Sequence, residues 1–158
     1  MTALGLGIVF LTRCLLVALF LPFSALDKLL NTRQAVAQAA QVVRPHALAF
    51  AFIAAGGVIE ITMSLAIVSG IMDRLAALVL AGYCLVTALL WKRFWATRDF
   101  RLKGASSGRE VFWDFLKNIA LAGAFLMLAF GYTSAGLSEF LAHPFASTHP
   151  YRIVEQGH

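Results

Sequence analysis

Charge is what this sequence has least of: Asp, Glu, Lys and Arg make up 13% of its 158 residues, and only eight of them are acidic. Soluble domains carry about 25% charged residues, so a water-facing surface of the usual extent is excluded. Cysteine is scarcer still. Cys14 and Cys84 each lie inside an apolar stretch, without CxxC spacing or a nearby histidine, which excludes a zinc site and a thiol redox motif. There is no internal repeat and no low-complexity tract. The net charge of +5 is not gathered on one face or arm, so nucleic acid is not indicated as a partner.

What fills the chain instead is apolar. Hydrophobic residues reach 60% and the mean hydropathy is +0.79, above the roughly 45–50% apolar content of soluble domains. Four runs stand out at residues 4–26, 46–71, 75–91 and 111–132, each near the ~20 residues a helix needs to cross the hydrocarbon core. Backbone groups in lipid must be paired internally, and runs this long without alternation are not barrel strands. The reading is an all-α membrane protein, a four-transmembrane-helix bundle in contact with the lipid bilayer. The first run has no basic region before it and Arg13 interrupts it, so it reads as a retained helix rather than a signal peptide.

Between the first two spans, Ala35, Val36, Ala39, Ala40 and Val43 recur at helical spacing while Gln34, Gln38 and Gln41 fall elsewhere. That predicts a short amphipathic helix over about 31–43, closed by Pro45. Residues 92–110 form a polar, basic loop with a flexible turn at 104–108. The transmembrane domain covers residues 1–142. Residues 143–158 form a polar C-terminal tail, in which Pro144 and Pro150 oppose a long helix.

Lys and Arg are unevenly shared between the loops. Lys28, Arg33 and Arg44 lie in the first, and Lys92, Arg93, Arg98, Arg101, Lys103 and Arg109 in the third; the other side holds Arg74 and Arg152. Positive charge stays inside, which puts these two loops in the cytoplasm and both termini outside, in a bacterial inner (plasma) membrane. Trp91, Trp95 and Trp113 flank the basic loop, where interfacial aromatics are expected.

Ionisable groups within spans carry the functional information, because each costs about 2.5–3.5 kcal/mol at a helix centre and persists only with a partner or a task. They are Arg13, Glu60, Asp114 and Lys117. Arg13 lies about nine positions into the first span and Glu60 about fourteen into the second; antiparallel helices bring such positions to comparable depth. This predicts an intramembrane Arg13–Glu60 pair, either a register-fixing ion pair or a polar site for a ligand or proton. Asp114, Lys117 and Asn118 share one helical face near the cytoplasmic end of the fourth span. Local balance of Asp114 by Lys117 is the plain interpretation. The functional one joins these three to Asp27 and Lys28 as a ligand site whose donors suit a quinone carbonyl or an anionic head group. His46, alone beside Pro45, has no second ligand at its depth, and no metal is assigned. Gly56, Gly57, Gly82 and Gly123 read as close-packing positions.

In family terms the chain resembles the DoxX-like membrane proteins. The resemblance rests on Arg13 followed by Phe23-Ser24-Ala25-Leu26-Asp27-Lys28-Leu29, on Glu60 in a Gly-containing second helix, on Asp73-Arg74-Leu75-Ala76-Ala77-Leu78, and on Phe115-Leu116-Lys117-Asn118-Ile119-Ala120-Leu121-Ala122-Gly123. It implies four helices in one membrane domain. It also implies a membrane subunit or accessory protein of a membrane-associated oxidoreductase, respiratory or linked to oxidative stress, with no covalent cofactor, a quinone as the expected ligand, and a redox protein or a second copy as partner. A non-catalytic role is as compatible with these motifs as a catalytic one. The alternative is a stand-alone membrane carrier that binds a small molecule or lipid at the intramembrane polar centre.

Overall fold

The computed structural model describes residues 3–152, and among them every regular element is helical. Helix α1 (Ala3–Val17) leads into a π-type stretch (Leu19–Ser24) and then α2 (Ala25–Leu30). A short α3 (Thr32–Ala39) follows, then the long α4 (His46–Ser69), α5 (Asp73–Trp91) and α6 (Ser107–Phe130), and finally α7 (Ser134–Ala142). Four helical stretches, 3–30, 46–69, 73–96 and 107–130, are long and apolar enough to span a bilayer, so the chain is an integral membrane protein with a four-helix bundle.

The first span is not one straight rod. Leu21 leaves helical geometry (φ −121°, ψ 111°) immediately before Pro22, whose ring removes a backbone donor and crowds the preceding turn. The kink separates α1 from α2 and re-aims the latter toward α4. The expected amphipathic helix is α3; its Val36 and Ala39 are buried against Ala49 of α4, with Ile53 beside them.

Helix α5 is the centre of the bundle. Its Ala76, Ala77, Leu80, Ala81, Cys84 and Ala88 are all buried, and it packs most extensively on α6, then on α4. Lipid tails are as apolar as these side chains, so what draws the helices together is close van der Waals contact. A row of alanines supplies it, receiving Phe125 and Ala129 of α6 and Val17 and Phe20 from the first span. Of the glycines expected to pack closely, Gly56 alone does so, beneath the Tyr83 ring; Gly57, Gly82 and Gly123 face open space.

Turn chemistry fixes the ends. Gly70 closes α4 in the left-handed region (φ 76°). Ser106 caps α6 by accepting from the Arg109 amide at 3.0 Å, and Asp99 accepts from the Ser107 and Gly108 amides at 2.8 and 3.1 Å. The tail folds back rather than trailing away: Ser147 Oγ donates to Gly70 O at 2.5 Å, and the Tyr151 hydroxyl donates to Val68 O. Residues 153–158 of the expected tail lie outside the described residues.

Candidate functional site

Two separate polar centres lie in the bundle, and the expected Arg13–Glu60 pair is replaced by one pair in each. Arg13 is at the end of α4, where its Nη1 donates to Ile67 O at 2.6 Å. Seven residues separate Ile67 from Glu60, roughly 10 Å along a helix, too far for the two side chains to meet. The helices are offset along their axes, and a count from the start of each apolar run does not see the offset.

At that end of the bundle Arg13 pairs with Asp73, the first residue of α5, at 2.7 Å. Thr148 of the returning tail completes the group. Its amide donates to Asp73 Oδ1 at 2.9 Å, its hydroxyl bonds Asp73 Oδ2, and it receives Arg13 Nη2 at 2.6 Å. Nearby, Arg74 Nε donates to Ala129 O at 3.0 Å and its Nη1 pairs with Glu139 at 3.2 Å. Both carboxylate oxygens of Asp73 are used, which makes this a closed structural lock joining α1, α4, α5, α6, α7 and the tail.

The second centre lies mid-bundle and is open in the chemical sense. Because the Pro22 kink turns α2 inward, Lys28 does not stop at the interface but reaches Glu60 Oε1 at 2.5 Å. Its other bonds run to Ser24 Oγ at 3.0 Å and the Tyr83 hydroxyl at 3.2 Å. Three acceptors on three segments match the three N–H groups of the ammonium, and the nitrogen also lies 5.7 Å from the Tyr83 ring centroid. Phe20 closes the top by an edge contact with Tyr83.

Two atoms in this neighbourhood have no hydrogen-bond partner among the described residues: Glu60 Oε2 and, one turn further along the same face of α4, Ser64 Oγ. Both are fully buried. A buried polar atom left unmatched costs about 1–3 kcal/mol, more where no water is at hand. One is an acceptor and the other both donor and acceptor. The half-buried Lys28 and Tyr83 form the accessible edge of the centre.

The five residues expected to make one pocket are divided. Lys28 belongs to the mid-bundle centre, and the exposed Asp27 accepts from Asn31 at 2.7 Å. Asp114 lies between Lys92 and Lys117, each at 3.2 Å, with Asn118 half-buried beside them. No hydrogen bond or ion pair among the described residues links the two groups. Glu60, Ser64, Tyr83 and Ser24 as one site were not anticipated; the signal available was Pro22 five residues after Val17, the mark of a span that bends and delivers Lys28 inward. Among the described residues no three His, Cys, Asp or Glu side chains gather to hold a metal ion.

Comparison with known families matches the profile described as DoxX to residues 8–93, a stretch that contains Arg13, Lys28, Glu60, Asp73 and Tyr83. Comparison with curated proteins and with solved structures gave no match.

Proposed function

The chain belongs to the DoxX family, and we propose that it serves as an integral membrane subunit or accessory protein of a membrane-associated oxidoreductase, contributing a quinone site. The observation that carries the reading is the pair of unmatched buried atoms, Glu60 Oε2 and Ser64 Oγ, beside Lys28 and Tyr83. A quinone carbonyl requires a hydrogen-bond donor, which Ser64 supplies. A quinol hydroxyl requires an acceptor, which Glu60 Oε2 supplies. The apolar helices around the centre suit an isoprenoid tail. Interconversion of the two forms takes two electrons, which a partner redox protein supplies, and two protons, which come from water; Glu60 Oε2 holds the quinol by accepting its hydroxyl. The earlier boundary residues Asp27, Asp114, Lys117 and Asn118 then anchor helix ends.

The test is isolation of the whole chain in mild detergent, followed by extraction and assay of bound quinone and of co-purifying protein. Ser64→Ala removes the donor and should lower quinone occupancy about tenfold, as loss of one hydrogen bond implies. Unchanged occupancy in the folded variant overturns the site. Quinone bound to a chain that never brings down a redox partner supports the carrier function in place of the subunit function.

A further inference from the structure

A cleft of about 190 Å³ opens at the basic end of the bundle, where the last turn of α3, the end of α5, the short 3-10 turn Phe94–Ala96 and the start of α6 converge. Gln38, Gln41 and Arg93 supply its polar wall, and Leu90, Val42 and Val111 an apolar one, with Trp91 between. No carboxylate lines it. Neither the two amides nor the guanidinium is engaged in any hydrogen bond or ion pair among the described residues, whereas the adjacent Lys92 is committed to Asp114. The guanidinium of Arg93 is therefore an unpaired cation at the cleft, and each Gln amide brings donors together with its own carbonyl acceptor.

The surroundings are basic on balance. Arg33, Arg44, Arg98, Arg101, Lys103 and Arg109 take part in no ion pair among the described residues, and they outnumber the acidic Asp99, Glu110 and Asp114 of the same end. Its depth is that of the head-group layer, because α5 and α6 both have an end here and Trp91 and Trp113 lie at those ends. A guanidinium binds a phosphate through two parallel N–H bonds, amides add neutral donors, and the apolar wall accommodates a glycerol backbone and the first methylenes of an acyl chain.

We infer that this cleft binds the phosphodiester head group of an anionic glycerophospholipid, with Arg93 as the principal phosphate contact and Gln38 and Gln41 as supporting donors. Basic pockets between transmembrane helices recognise lipid head groups in this way. A lipid held here would join α3 to the α5–α6 loop and steady the packing of both on the bundle. The site is distinct from the mid-bundle centre and does not depend on a quinone being bound there.

Native mass spectrometry of the whole chain in detergent tests it, titrating with phosphatidylglycerol, with phosphatidylcholine of the same acyl length, and with inorganic phosphate. Phosphatidylglycerol should be retained at least about tenfold more strongly than phosphatidylcholine, and Arg93→Gln should weaken it about tenfold, the loss of one charge-assisted contact. Lys103→Gln removes the same charge outside the cleft and should change retention less than about twofold. Equal weakening by the two variants overturns the site in favour of diffuse attraction. Equal retention of both lipids overturns it as well, and inorganic phosphate displacing the lipid at equal concentration overturns the lipid as the ligand.

Discussion

Arg13 and Asp73 illustrate how a buried charge is tolerated: each is nearly inaccessible, and each is bonded to the other and to Thr148, with Ile67 O a further acceptor for Arg13. Removing one partner strands the other. Asp73→Ala should destabilise the protein in detergent by about 3–5 kcal/mol, the usual cost of an uncompensated buried charge. The double variant Arg13→Met, Asp73→Leu should recover most of that loss, since a well-packed apolar pair often replaces a buried ion pair at little net cost. Thermal unfolding of the three proteins decides it, and a double variant no more stable than Asp73→Ala would show that the pair does more than satisfy itself. Glu60 contrasts with Asp73 at the same scale: its second oxygen is left unmatched, which is why the proposed ligand is placed there.

At the scale of elements, the start of α6 is governed by Asp99. Its carboxylate receives the Ser107 hydroxyl at 2.9 Å and the Ser107 and Gly108 amides. These bonds, the Ser107 hydroxyl first, hold its pKa below the ordinary 3.8. A carboxyl with a lowered folded value stabilises the cap fully above its unfolded value and loses that contribution as pH falls through the folded one. The Ser107 and Gly108 amide proton resonances should therefore titrate with a midpoint below 3.8, and Asp99→Asn should abolish the titration; a midpoint at or above that value would remove the cap from this account. The same helix shows what was legible in the sequence. The apolar run placed the span at 111–132, while the helix runs Ser107–Phe130, because a Ser106 cap begins a helix before hydropathy rises. Pro45 marked the start of α4 closely, since proline acts locally. Nothing local announces that Thr148 meets Asp73 across 75 positions, and Pro22 announces a bend but not that Glu60 is what Lys28 then meets. The spans were readable from one-dimensional patterns; the pairing of their charges depends on axial offsets that such patterns do not contain.

For the molecule as a whole, the structure keeps the Lys and Arg asymmetry on which orientation rests, with eight at one end against Arg74 and Arg152 at the other. Lys28, first counted with a loop, is withdrawn to the mid-bundle centre. At the other end Arg13 and Arg74 are neutralised by Asp73 and Glu139, leaving Arg152 as the unpaired basic residue among the described residues there. The end formed by the 31–45 and 92–109 segments keeps Arg33, Arg44, Lys92, Arg93, Arg98, Arg101, Lys103 and Arg109. Orientation follows the Lys and Arg count of short loops rather than net charge, so the acidic residues at that end do not offset it. That count predicts a basic end in the cytoplasm. Reporter fusions after Gly70 and at the C-terminus should both be active outside the cytoplasm, and a fusion within residues 104–108 should be active inside. Because Thr148 and Tyr151 dock on the α4–α5 turn, the first two fusions must agree with each other whichever way the bundle inserts. Agreement on the cytoplasmic side would reverse the orientation and put the phospholipid cleft in the outer leaflet, whereas disagreement between them would contradict the folded-back tail itself.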